Sequence, residues 1–266
     1  KKGKEFYTKS PNGHNRMIMH VEPLDKISTD MILEGEIHDL MDRKTMGKIL
    51  AEKADWDRKE ARKVWDVYEG NILVDGSKGL QRMDRIKSAV IDAFRTFCEK
   101  GPLCKEPVQG LKATFTDATV HSDPAHTGYG EIATMVNANL SLGFLSAGSK
   151  LFEPIQYVDV KTPNGTEGGI IKVLSQHRGK VGDIIPDGAN VRVKGEIPAD
   201  EMSKGIADDF RGATQGRAFF GYQFKGFEPV PGSLMEEFIV DIRKRKELAP
   251  EMPDGSNFRR FMYVRT

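Results

Sequence analysis

Apolar and polar positions alternate along this chain in two rhythms, helical in some stretches and strand-like in others. Residues 39–52 read as a helix, and 57–69 as another, with Ala61, Val64, Trp65 and Tyr68 at i, i+3, i+4 and i+7 behind an Asp57/Glu60 pair of the capping-box kind. A third helix is predicted over 82–100, where Met83, Ile86, Val90, Phe94 and Phe97 form one stripe before Gly101 and Pro102. Period two then takes over. Leu111, Ala113 and Phe115 share one phase and Ala118 and Val120 the other, so the strand carries a bulge or bend at Thr116 and Asp117. The stretch VHSDPAHTGYGE, residues 120–131, is too rich in Pro, Gly and Asp for either element. Beyond it Ile132, Met135, Val136 and Leu140 resume helical spacing, which puts two histidines on a strand-to-helix loop.

A Ser-Ala-Gly-Ser break at 146–149 opens a second unit. Its pattern predicts a strand at 155–161, a helix at 167–177, strands at 181–185 and over NVRVKGEI, a helix at 200–211, and a last strand over GRAFFGYQF. That order is βαββαβ, the split arrangement of a ferredoxin-like fold. The tail places Leu234, Met235, Phe238, Ile239 and Ile242 on one helix face, expected to return to the first domain. Arg243, Lys244, Arg245 and Lys246 follow, and offsetting the helix dipole is a sufficient reason for them.

Composition narrows the class. A chain of 266 residues has room for two domains. No apolar run approaches a membrane span, and an N-terminus without Met or an apolar signal core suggests a piece of something longer. Cys98 and Cys104 are too few for a disulfide framework, which points to a reducing, cytoplasmic setting. The net charge of +1 conceals local asymmetry: residues 1–16 carry five Lys or Arg against Glu5, and residues 22–40 carry six acids against Lys26.

Candidate chemistry is sparse. Cys98, Cys104, His121 and His126 suggest zinc, but the cysteines are too widely spaced for a structural site and buried thiols are the simpler reading. His121, Asp123 and His126 have acid-base character without a nucleophile, and no phosphate loop, HExxH, GxSxG or dinucleotide motif occurs. No catalytic residue and no metal site is assigned. Two glycosylation sequons, at Asn139 and Asn164, carry no weight without a secretory signal. KSPNGHNR, residues 9–16, is the better candidate: among its turn formers, Lys9 and Arg16 suit phosphate, while His14 and Asn15 suit base edges or 2′-hydroxyls. An Asn-Gly surface hairpin would look the same.

Eight stretches, KSPNGHNR, WDRKEARKVW, NILVDGSKGLQRM, EKGPLCKEPVQGLK, DATVHSDPAHTGYGE, KLFEPIQYVDV, DDFRGATQGRAFF and DIRKRKEL, resemble in order the C-terminal part of archaeal and eukaryotic elongation factor 2, the ribosomal translocase related to bacterial elongation factor G. The resemblance implies an α+β protein of two domains. Residues 1–150 with 230–266 would match domain IV, similar to the second domain of ribosomal protein S5, and 151–229 the ferredoxin-like domain V. It further implies a tip of three loops, SPNGHNR, the GPLCKEPVQG turn and HSDPAHTGYGE, that contacts RNA through Lys9, Asn12, His14, Asn15, Arg16, His121, Asp123, His126 and Tyr129. His126 falls where the family carries diphthamide. The flank departs from the family: Thr127 to Glu131 replace an Arg, a Gly-rich pair and Gln, and Gly13 replaces Lys. Implied partners are the rRNA of both subunits, tRNA and mRNA, with a monomeric protein. GTP and Mg would belong to a G domain outside this chain. The rivals are a divergent paralogue that binds RNA without translocating, and a zinc-dependent or histidine-based enzyme.

Overall fold

The computed structural model describes residues 5–77, 79 and 83–262, so Lys1, Lys2, Lys4 and the predicted helix start at Arg82 lie outside the described residues. The chain forms two compact units, Lys1–Ser149 with Glu236–Thr266, and Lys150–Met235.

The first unit contains β1 (Phe6–Lys9), β2 (Arg16–Pro23), α1 (Lys26–Leu33), α2 (Arg43–Lys53), the single turn α3 (Arg58–Ala61), β3 (Val64–Tyr68), β4 (Asn71–Asp75), α4 (Met83–Glu99), β5 (Leu111–Thr119) and α5 (Tyr129–Ser146). Its sheet has the order β1-β2-β5-β4-β3, antiparallel except for the β4–β5 pair that α4 connects. On one face, Met17, Met19 and Val21 of β2 and Leu111, Ala113 and Phe115 of β5 bury against Ile86, Val90, Phe94 and Phe97 of α4 and Ile132, Met135 and Val136 of α5. Residues on the other phase, Ile72 and Val74 of β4, join Met31, Met46, Leu50 and Val67 in a second core under α1 and α2. Because β4 is covered on both faces, it reads as a continuous apolar run rather than an alternating one.

The predicted bulge is present: Ile18 pairs with Asp117 and Met19 with Phe115, which leaves Thr116 as the extra residue. The helix expected over 57–69 is not. Asp57 caps α3 by accepting from the Lys59 and Glu60 amides, but the helix ends at Ala61 and Val64–Tyr68 pairs with β4 instead. The strand mimics a helical stripe because it packs on both faces: Val64 and Val67 lie in the core under α1 and α2, and Trp65 and Tyr68 pack against the other core. The helix expected from residue 39 begins at Arg43, where the Asp42 carboxylate accepts from the Thr45 amide.

The second unit contains β6 (Phe152–Pro163), α6 (Glu167–Gln176), β7 (Lys180–Asp187), β8 (Asn190–Pro198), α7 (Ile206–Ala213) and β9 (Phe219–Pro229). The sheet order β7-β8-β6-β9, antiparallel throughout, is that of a ferredoxin-like βαββαβ domain. Val158, Val160, Val193 and Ile197 pack against Ile170 and Leu174 of α6 and Ile206 and Phe210 of α7. The helix expected over 200–211 is two pieces, a 3-10 segment Ala199–Lys204 and α7, separated by Gly205 at φ +88. Only glycine adopts that angle without strain.

α8 (Met235–Arg245) ends on the first unit's residues, as its sequence predicts. Arg243 is buried and donates to the Leu103 carbonyl at 2.6 Å and the Ala249 carbonyl at 2.6 Å, while Lys246 donates to the Lys105 carbonyl at 3.0 Å. Two members of the basic run are thus anchors that satisfy backbone carbonyls. The chain returns further: a 3-10 segment, Gly255–Phe261, packs on α5, and Met262 bridges Thr8 on the edge strand β1.

Candidate nucleic-acid interface

Antiparallel pairing of Arg16 with Thr119 brings the β1–β2 turn and the β5–α5 loop to the same end of the sheet. The first loop folds on Ser10, whose hydroxyl donates to Asn12 Oδ1 at 2.6 Å and accepts from the Asn15 amide at 3.0 Å. Gly13 turns it at φ +74. In the second loop Asp123 caps a short turn, Pro124–His126, by accepting from the Ala125 amide at 2.9 Å.

Two asparagines join the loops. Asn15 Nδ2 donates to the His126 carbonyl at 2.7 Å and Asn12 Nδ2 to the same oxygen at 3.0 Å, while Asn15 Oδ1 accepts from the His121 amide at 3.0 Å. Glu131, in the first turn of α5, accepts from the Asn12 amide at 2.8 Å. Its carboxylate therefore stands at a helix N-terminus, where the dipole favours negative charge. The result is a cluster of three imidazoles: ring centroids are 4.3 Å apart for His14 and His126, 4.6 Å for His121 and His126, and 5.1 Å for His14 and His121. His121 Nδ1 also accepts from the Asp123 amide at 3.1 Å.

Most of the residues singled out in the sequence converge here. Lys9, Asn12, His14, Arg16, Asp123 and Tyr129 are exposed, and His121 and His126 half-buried. Tyr129 is 56% exposed. Asn15 departs from expectation: it is fully buried, and its amide is committed to joining the loops rather than presented to a ligand. The third loop departs as well. The turn at 101–110 precedes Leu111, the first residue of the nine-residue β5. At ~3.3 Å per strand residue it lies roughly 26 Å along the strand from the histidines. Arg85 of α4 reaches the tip instead, donating to the Ser122 carbonyl at 2.9 Å. Arg85 had no signal of its own in the sequence, since it acts through a contact distant along the chain, and Glu131, noted there as a departure in charge, has the bracing role that only the fold reveals.

The same geometry separates the four zinc candidates. Cys98 and Cys104 are buried at the far end of β5, and burial raises both thiols above their usual pKa. Among the described residues, no group of three or more His, Cys, Asp or Glu side chains is arranged to hold a metal ion. The sequon Asn139 is fully buried, with Nδ2 donating to the Phe6 carbonyl at 2.8 Å. Among the described residues, no helix is long and apolar enough to cross a membrane.

A split α/β unit with a loop-built polar tip, continued by a ferredoxin-like unit, is the architecture of the C-terminal part of a translational elongation factor. The family described as elongation factor G, domain IV, matches residues 35–148, and that described as elongation factor G C-terminus matches 150–238. Over 97% of this chain, elongation factor 2 of Staphylothermus marinus is 39% identical, that of Metallosphaera sedula 39% and that of Ignicoccus hospitalis 38%. The chain belongs to the elongation factor 2 family, matching its domain IV and C-terminal domain, and spans 35% of the length of these relatives.

Proposed function

We propose that this chain is the part of a ribosomal translocase that enters the decoding site of the small subunit behind the moving tRNA. The domain IV-like unit acts as a wedge, and its tip contacts RNA through Lys9, Asn12, His14, Arg16, His121, Asp123, His126 and Tyr129. Asn15 holds the loops in place. The second unit meets large-subunit rRNA. Movement of tRNA and mRNA depends on GTP and Mg held by a G domain outside this chain, and this part contributes binding and steric exclusion rather than a catalytic group. The setting is the cytoplasm, and the protein acts as a monomer.

The observation that carries this reading is the double hydrogen bond onto the His126 carbonyl, which fixes the loop by its backbone and leaves the imidazole available. A rigid tip loses little entropy on insertion. Toeprinting of translocation by the intact protein with His126→Ala or Arg16→Ala tests it. Slower translocation or increased frameshifting supports the wedge, and wild-type behaviour of both variants removes these residues from the mechanism.

A paralogue that binds the ribosome without translocating is favoured by Glu131 and Gly13, which lower positive charge where an RNA-directed tip gains from it. Those same positions bear on His126 as a diphthamide site. Peptide mass spectrometry of native protein distinguishes the cases: a diphthamide-sized increment on His126 aligns the chain with the modified factors, and its absence with an unmodified branch.

A further inference from the structure

We infer that the first unit carries a second phosphate-binding surface, formed by Arg43 of α2, Arg62 and Lys63 between α3 and β3, and Lys87 of α4. The inference rests on the reading that this chain meets RNA, and extends it to a face outside the tip.

Separate contacts place the four on neighbouring elements. Gly47, one turn after Arg43, lies against the end of α3, so a Cβ there would stand 3.3 Å from Arg62 Cγ. Lys63 Nζ lies 3.5 Å from the Ser77 carbonyl at the end of β4. Lys87 Nζ lies 5.3 Å from the Trp65 ring centroid, and partial burial followed by the charge of Arg43 lowers its pKa. Asp75 and Asp84 offset part of that effect. Among the described residues, none of the four cations is within ion-pair distance of a carboxylate. The acids beside them are engaged elsewhere: Asp42 and Asp57 cap helices, Glu60 pairs with Lys112 at 2.8 Å, and Asp75 accepts from the Ser77 amide at 2.9 Å. The neighbouring carboxylates offset only part of this positive charge, and a cation set without direct ion pairs of its own gains from an external anion.

The partner is the sugar-phosphate backbone of RNA rather than an acidic protein segment. Between residues 43 and 63 the large hydrophobic side chains are covered, and the exposed Leu40, three residues before Arg43, is a single apolar side chain beside a cation set rather than the buried aromatic cluster that protein docking usually centres on. Phosphate contact needs only charge and donors.

The test is fluorescence anisotropy of a labelled RNA duplex of about 16 base pairs with the whole chain, titrated over about 50 to 200 mM salt. Arg43→Gln/Arg62→Gln/Lys63→Gln changes three exposed side chains, and near-UV circular dichroism checks that the fold is kept. The expected result is at least a tenfold loss of affinity and a salt slope smaller by about 2 to 3, at ~0.9 per phosphate contact. Unchanged affinity and slope overturn the inference. The tip variant His14→Ala/Arg16→Ala separates the two readings. Binding lost only with the tip variant sinks the second surface and keeps the tip, whereas binding lost only with the triple variant does the reverse. No RNA binding by the parent chain sinks both. If labelled poly-glutamate binds the parent, loses affinity in the triple variant and RNA does not, the surface takes acidic protein and the inference fails.

Discussion

Asn15 and His126 lie on different loops 111 residues apart, and the Asn15 amide donates to the His126 carbonyl at 2.7 Å from a fully buried position. The same side chain accepts from the His121 amide, so one residue sets the position of both loop histidines.

Removing it is therefore expected to loosen the tip as well as destabilise the fold. Asn15→Ala takes the acceptor from the His121 amide and leaves the His126 carbonyl with Asn12 alone, at a cost of about 1 to 3 kcal/mol. Urea unfolding measures the loss. Asn15→Asp keeps the acceptor for His121 and loses the donor to His126, so its amide exchange should speed up around His126 more than around His121. Equal effects at both sites would contradict the asymmetric role.

At Glu131, substitution separates geometry from charge. Glu131→Gln retains an acceptor for the Asn12 amide, now at 2.8 Å from the carboxylate, and removes a negative charge from the tip. RNA affinity is expected to rise several-fold at low salt with little change in Asn12 exchange. Glu131→Ala removes both, and Asn12 should then exchange faster. Amide exchange beside RNA binding reads the two effects independently.

Close approach of α5 to β2 makes Gly143 a packing requirement. A Cβ built there meets Val21 Cγ2 at 2.4 Å and Val21 Cβ at 2.9 Å, and rotating Val21 relieves only the first. Alanine would favour the helix by about 1 kcal/mol, but overpacking a rigid core costs about 1 to 3 kcal/mol. Gly143→Ala is expected to lower the midpoint of urea unfolding.

In the second unit, Arg178 binds Glu153 in a bidentate pair at 2.7 and 3.0 Å and Glu201 at 2.9 Å, and both carboxylates are buried. Burial alone would raise the Glu201 pKa, yet hydrogen bonds from Arg178, Lys204 and His177 outweigh it and hold it below the ordinary 4.5. A carboxylate lowered on folding stabilises the protein above that ordinary value and loses the contribution as pH falls through its folded value. Stability should thus decline below pH 4.5 partly through this site. Arg178→Gln is expected to cost about 3 kcal/mol at neutral pH and to flatten the acid-side slope. Parallel urea titrations across pH check both.

How far the sequence discloses this molecule differs by element. The ferredoxin-like unit is legible because its alternating strands and striped helices each report their own period. The bulge at Thr116 shows as a phase slip for the same reason. Val64–Tyr68 is misread because a strand covered on both faces, like a helix, shows apolar residues at i, i+1 and i+4, and only pairing with β4 decides between them. At the tip, the residue types point to polar contact, but which ones face outward depends on pairing between distant strands. That is why Asn15 looks like a ligand contact and is a brace, and why the turn at 101–110 belongs to the opposite end.

The central claim is that the three-histidine tip enters the decoding site, and directed cleavage tests it most directly. Ala125 is exposed on the tip, and Cys98 and Cys104 are buried, so Ala125→Cys, with accessible cysteines elsewhere in the intact protein replaced, provides a thiol for an iron chelate. With this tether on the intact protein bound to ribosomes, hydroxyl radicals are predicted to cut small-subunit RNA around the decoding site, and the cuts should weaken when Asn15→Ala is added. Cleavage confined to other regions of the ribosome, with the protein demonstrably bound, would contradict the account.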